Sequence, residues 1–284
     1  MEVAPDVRLR AEEVGRPGAS ALLLIMGANA SGLAWPEALV ERLGRQHRVI
    51  RYDHRDTGRS TWAFDAHPYA VADLAGDAVA VLDALGVERA HVVGMSMGGT
   101  LVQLLLLDHP DRLISATVFC TSALGAGLAA GASTSGSELP GPDPRLLAMW
   151  GHLGESRDRE AELDWRIEHW RILNGDELDF DPAEFRHLEE RLIEHAGRHD
   201  SPAAHARADQ SGLDRGTELA QVTVPTLVIE APNDPINPPP HATHLAETIG
   251  SAHLVTIPSM GHALGRPVVE PLAAAILTHT TGVE

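Results

Sequence analysis

The sequence predicts an α/β protein: a mostly parallel sheet covered by helices on both faces and interrupted once by a helical insertion. Three observations carry this prediction. Short continuous apolar runs of strand length alternate with segments of helix length along most of the chain. A Gly-Met-Ser-Met-Gly pentapeptide falls at a strand-to-helix junction. The alternation breaks over residues 121–216, where a Gly/Ala/Ser-rich run, 125–136, leads into charge-rich helical segments.

Taken in order, residues 21–26 form an apolar run closed by Gly27, the pattern of a strand buried on both faces. Residues 36–43 read as a helix, 48–52 as a strand, 71–85 as a helix, 91–93 as a strand and 100–107 as an apolar helix. Strands at 113–120, 225–229 and 253–257 and a closing amphipathic helix at 268–278 complete the set, and Pro238-Pro239-Pro240 sits where a further helix would begin. Helical segments around Trp150, 165–173 and 182–195 make the insertion a cap. The chain then divides into a core of 1–122 and 217–284 and a mainly helical cap of 123–216. Three of the five tryptophans, Trp150, Trp165 and Trp170, lie in that cap. Packing of cap onto core is their first expected role, with Trp150 and Trp170 as candidate substrate contacts.

Composition narrows the function. A chain of 284 residues with 44% apolar side chains can bury a large core as one compact unit. Its formal charge of −18, from 22 basic against 40 acidic residues, argues against binding nucleic acid or an anionic membrane through a basic surface. The single cysteine, Cys120, permits no intrachain disulfide, and no basic stretch followed by an apolar one opens the chain, so the cytoplasm is the expected setting. Cys120 itself is expected to pack as an apolar residue with no base beside it.

The pentapeptide carries the chemistry. Gly94-Met95-Ser96-Met97-Gly98 matches the sharp turn that exposes a nucleophilic serine between a strand and a helix, with small residues where backbones come close. The N–H of Met97, at the start of the helix, is one expected oxyanion donor. The strand at 225–229 runs into Glu230-Ala231-Pro232-Asn233-Asp234, which puts a carboxylate past a strand's carboxyl end, where α/β sheets build sites. Asp234 is the candidate acid and Glu230 its competitor. After the strand at 253–257 comes Pro258-Ser259-Met260-Gly261-His262, which makes His262 the candidate base among sixteen histidines. The order Ser96, Asp234, His262 is that of the α/β-hydrolase fold. Gly27-Ala28-Asn29 follows the first buried strand, with Ala28 the expected second oxyanion donor, Gly27 its structural helper and Asn29 a candidate substrate contact. The charged run from Asp53 to Gly58 is expected to hold its own loop together. His195 and His199 have i, i+4 spacing, but Gly197 interrupts the helix and no third ligand is evident, so solvated surface is expected and neither metal nor organic cofactor is called for. These residues alone leave open an ester, a lactone, a carbon–carbon bond or a non-catalytic binder.

Several segments together resemble the anthracycline methylesterases, of which aclacinomycin methylesterase is the best-known type. They are 22–29, the run from Arg51 through Asp53-His54-Arg55-Asp56-Thr57-Gly58-Arg59-Ser60, 94–100, Trp170-Arg171-Ile172-Leu173, 222–234 and Met260-Gly261-His262-Ala263-Leu264. The resemblance spans nearly the whole chain. It implies a two-domain α/β-hydrolase that removes the methyl group from the carbomethoxy ester of a glycosylated anthracycline, a late step in polyketide tailoring that decarboxylation of the freed acid follows in some pathways. It also implies the triad Ser96, Asp234 and His262 and oxyanion donors at Ala28 and Met97. The departure is Ala28, where the family carries a second glycine; since the donor is a backbone group, the change is expected to be tolerated.

Overall fold

The segment Ala21–Ile25 shows how the sequence builds the sheet. Alternate side chains of a strand point to opposite faces, and here both faces are apolar. Leu23 and Ile25 enter one cluster, with Leu74, Val81, Leu101 and Leu105, while Leu22 and Leu24 enter a second, with Leu39, Leu43, Val268, Leu272 and Ile276. Both faces are therefore covered by helices. All four of these strand side chains are fully buried, worth roughly 1.5–3 kcal/mol each against exposure.

The computed structural model describes residues 1–126 and 139–283. Nine strands are named in chain order among these: β1 (Glu2–Ala4), β2 (Val7–Arg8), β3 (Ala11–Gly15), β4 (Ala21–Ile25), β5 (Arg48–Tyr52), β6 (Ala90–Met95), β7 (Leu113–Phe119), β8 (Thr226–Glu230) and β9 (Ala252–Thr256). The helices are α1 (Glu37–Gly44), α2 (Asp73–Ala84), α3 (Met97–Asp108), α4 (Pro144–Trp150), α5 (Arg159–Leu173), α6 (Pro182–Ala196), α7 (Ala204–Arg207), α8 (His241–Thr248) and α9 (Arg266–Thr281). A seven-stranded sheet runs β3-β5-β4-β6-β7-β8-β9, parallel except for β3. β1 and β2 form a separate antiparallel pair.

The expected elements are present with shifted ends. The strand expected at 91–93 spans Ala90–Met95, because Gly94 and Met95 stay in register with Val118 and Phe119 of β7. The helix expected at 100–107 starts three residues earlier, at Met97. The Gly/Ala/Ser-rich run 125–136 lies, beyond residue 126, outside the described residues. Sequence patterning missed β3, whose Glu12 and Glu13 obscure the strand pattern; those carboxylates pair with Arg51 and Arg48 of β5, so charge here stabilises and shields a sheet edge.

Helices α4, α5 and α6 share a small core of their own. Leu146, Ile172, Leu173 and Phe185 cluster with Ile236 and Ala263, two residues that flank the loops following β8 and β9. The insertion is thus anchored beside Asp234 and His262.

Candidate active site

Ser96 stands between β6 and α3 with φ 56° and ψ −123°, a left-handed conformation costing on the order of 1–3 kcal/mol for a residue with a side chain. Its N–H donates to Phe119 O (3.0 Å), which fixes the turn against β7. Gly94 and Gly98 face each other across it. A Cβ on Gly94 would run into the Gly98 carbonyl, and one on Gly98 would run into the Ile25 carbonyl of β4. Two glycines therefore let the helix that follows the serine cross the strands this closely. Gly27 approaches from the end of β4, where an added Cβ would stand 3.1 Å from Ser96 Cβ.

The acid and the base meet directly. Asp234, 1% exposed on the loop after β8, accepts at Oδ1 from His262 Nδ1 (2.9 Å) and from the N–H groups of Ile236 (2.8 Å) and Asn237 (3.2 Å). Burial pushes this carboxyl up, but the His262 charge and hydrogen bond, with the two backbone donors, outweigh it and hold Asp234 below the ordinary carboxylate range. Because His262 donates from Nδ1 to the carboxylate, Nε2 is its basic nitrogen. The N–H groups of His262 and Ala263 both donate to Leu173 O at the end of α5 (2.7 and 3.1 Å), so α5 pins this loop. Glu230 is occupied elsewhere, accepting from Thr256 (2.9 Å).

Ser96 and His262 line one cavity of about 610 Å³ and are not hydrogen-bonded to each other. Gly27, Ala28, Asn29 and Met97 share its wall. Among the described residues, the N–H groups of Ala28 and Met97 donate to no carbonyl or side chain, which leaves them available to an oxygen in the cavity.

The opposite wall comes from α4, α5 and α6. Trp150 and Trp170 line the cavity, as do Trp165, His169 and Arg166, which the sequence reading had not singled out as contacts. Their i, i+4 spacing on α5, 165 with 169 and 166 with 170, was the available signal. The polar edges of Trp150 and Trp170 are already engaged. Trp150 Nε1 donates to His169 Nε2 (3.1 Å) and Trp170 Nε1 to Glu189 Oε1 (2.6 Å), so the tryptophans can offer ring surface to a ligand without leaving an N–H unpaired. His169 is lowered to about 4 by burial and then by the His262 charge, and stays neutral.

Two expectations are corrected by position. His195 is buried at the end of α6, with Nε2 2.7 Å from Asp53 Oδ2, because α6 lies over the loop after β5. Cys120 is buried as expected, but a carboxylate does lie beside it: its Sγ, Asp234 and His262 are mutually within 4.8 Å. Burial and the neighbouring Asp234 charge push the thiol well up, so it remains protonated, with Sγ–H directed to Gly261 O (3.6 Å). The charges of this loop are used structurally, but mostly on neighbouring segments rather than within the loop: Asp53 accepts from Gly32 and Arg59 N–H, Asp56 from Ala63 and Phe64 N–H, and Arg55 pairs with Asp77 of α2.

Comparison with known proteins identifies the family. The alpha/beta hydrolase fold family matches residues 20–140, and the TAP-like protein family matches residues 203–278. The chain is 49% identical to rhodomycin D methylesterase DauP of Streptomyces sp. (strain C5) and 48% identical to rhodomycin D methylesterase DnrP of Streptomyces peucetius, each match covering 97% of this chain and 95% of the relative. The crystal structure of a hydrolase from Pseudomonas aeruginosa PA01 superposes with a TM-score of 0.72 at 26% identity, over 96% of this chain and 94% of that one. The chain belongs to the α/β-hydrolase family, close to the rhodomycin D methylesterases.

Proposed function

We propose that this protein is a serine esterase that hydrolyses the carbomethoxy group of an anthracycline-type aromatic polyketide, releasing methanol and the free acid. The observation that carries the reading is the hydrogen-bonded Asp234–His262 pair and the strained Ser96 facing one cavity, in a chain 49% identical to a methylesterase.

The chemistry follows from the geometry. Neutral His262 takes the Ser96 proton at Nε2 as Oγ attacks the ester carbonyl, and Asp234 holds the ring and steadies the imidazolium. The oxyanion is received by the N–H groups of Ala28 and Met97. The carbonyl re-forms, the C–O bond to the methoxy group breaks, and His262 returns the proton to departing methanol. Water then attacks the acyl-serine by the same route and leaves the carboxylic acid and free Ser96. No step calls on a metal or an organic cofactor.

In this reading residues 123–216 act as the cap over a core of 1–122 and 217–284, and the ring faces of Trp150 and Trp170, with Asn29, contact a flat polycyclic and glycosylated substrate. The cavity of about 610 Å³ suits a ligand of that size. Among the described residues no helix is long and apolar enough to cross a membrane, in keeping with a proposed place in the cytoplasm. The test is direct. Wild-type protein incubated with a methyl-ester anthracycline should release methanol, and Ser96→Ala should release none while keeping its far-ultraviolet circular dichroism. Undiminished release by the variant would remove Ser96 from the mechanism.

A further inference from the structure

The oxyanion loop, Met26 to Asn29, leaves β4 and takes no part in a strand or helix, yet the site needs the Ala28 N–H held in one direction. The bonds that hold it come from two buried imidazoles. On one side of Ala28, His54 Nε2 lies 2.9 Å from Met26 O. On the other, Asn29 N–H donates to His205 Nδ1 (2.7 Å), and the Asn29 side-chain oxygen accepts from His205 N (3.3 Å). The second ring nitrogen of His205, Nε2, lies 3.0 Å from Arg55 O.

These contacts fix the tautomer. A nitrogen that accepts from a backbone N–H carries no proton, so the His205 proton sits on Nε2 and is donated to Arg55 O. The ring thereby ties the oxyanion loop to the loop after β5. His54 carries its proton on Nε2 because its partner there, the Met26 carbonyl oxygen, can only accept, and the two rings meet edge to face with centroids 5.5 Å apart. Burial keeps both neutral, lowering His205 to about 3 and His54 to about 4. A charged His205 would turn a donor toward the Asn29 N–H. Asn29 itself is left-handed, with φ 60°, a conformation that persists only where surrounding contacts impose it.

We propose that His205 is a positioning residue for the oxyanion hole: it accepts the Asn29 N–H, donates to Arg55 O and so sets the direction of the Ala28 N–H. It arrives from α7, the segment where the chain returns from the cap helices towards β8, 176 positions beyond Asn29. This inference rests on the reading of Ser96 as nucleophile and Ala28 as donor.

The test uses the full chain and the variants His205→Ala, His205→Asn and His205→Gln. The Asn side-chain oxygen falls where Nδ1 stands and can keep the bond to Asn29, whereas Gln reaches towards the Nε2 position. The readouts are kcat and KM on p-nitrophenyl acetate and the rate at which a fluorophosphonate labels Ser96, since a tetrahedral oxygen enters the oxyanion hole in both reactions. His205→Ala should lose at least about tenfold in kcat and in labelling rate, part of the hundredfold or more that removal of a donor costs, with KM changed by less than about threefold. His205→Asn should recover most of the loss and His205→Gln little of it. Unchanged kcat with a raised KM in His205→Ala, or His205→Asn no faster than His205→Gln, would overturn the proposal; the second comparison also decides it if His205→Ala does not fold. A wild-type chain that neither turns over the ester nor takes the label contradicts the site reading and this inference with it, whereas an active wild type with an unaffected His205→Ala contradicts this inference alone.

Discussion

The Asp234 carboxylate is taken almost wholly out of water, yet it stays ionised because three N–H donors converge on a single one of its oxygens. Asp234→Asn keeps the shape but removes the charge that selects the His262 tautomer, so kcat should fall by on the order of 10⁴-fold, measured as methanol release at neutral pH. Histidine burial sets the acid stability. His54 and His205 bind a proton near pH 6.5 when unfolded but only near 4 and 3 in the fold, so between those limits the unfolded chain holds more protons. Stability from these groups is therefore full above about pH 6.5 and declines as pH falls through 4 towards 3, by roughly 3 kcal/mol for His54 and roughly 5 kcal/mol for His205 once each contribution is lost in full. Urea melts from pH 7 to pH 4 check this: His205→Asn should show a shallower decline than wild type, and an equal slope would show that His205 titrates alike in both states. That Ser96, Asp234 and His262 come together was legible because each lies in a short motif just after a strand. The contacts of His54, His195 and His205 were not, because their partners lie 28, 142 and 176 positions away: the pairing of β4 with β5 brings His54 to Met26, and the path of α6 and α7 brings His195 to Asp53 and His205 to Asn29.

At the scale of elements, the parallel strands were readable because burial on both faces makes them continuous apolar runs. The edge strand β3 was not, because its Glu12 and Glu13, which pair with Arg51 and Arg48 across the ladder to β5, interrupt any apolar run. The helix α5 links the cavity wall to the candidate base: Trp165, His169 and Trp170 line the cavity, and its last residue accepts from the N–H groups of His262 and Ala263. Its packing against α6 rests on Phe185, which is 3% exposed and stacked on Trp170 with centroids 5.2 Å apart. Phe185→Ala should cost about 3–5 kcal/mol in a denaturant melt. Because Trp170 loses its backing, KM for the polycyclic ester should rise more than kcat falls; a fall in kcat alone would mean that Trp170 is no part of the substrate wall. Tight crossing at Ser96 is the other element-scale constraint. Gly98→Ala drives a methyl group into the β4 carbonyl, so it should destabilise the fold by several kcal/mol and slow turnover even at temperatures where it stays folded.

At the scale of the whole molecule, left-handed backbone gathers at the carboxyl ends of the central strands: Asn29 past β4, Ser96 past β6 and Cys120 past β7 are three of the six non-glycine residues with positive φ among those described. The sheet and its covering helices provide the burial that sustains this strain, and the insertion closes the cavity above it. Helices α4 to α7 meet the sheet-end loops at buried places that include the Asp53–His195 contact, the bonds of His205 to Asn29 and Arg55, and the cluster holding Ile236 and Ala263. The account as a whole claims that Ser96 takes the acyl group of a methyl ester and passes it to water. Hydrolysis of a methyl-ester anthracycline in ¹⁸O-water tests that most directly. The account predicts ¹⁸O in the product carboxylate, unlabelled methanol and no release by Ser96→Ala, whereas labelled methanol would place the cleavage at the methyl carbon and contradict the acyl-serine route.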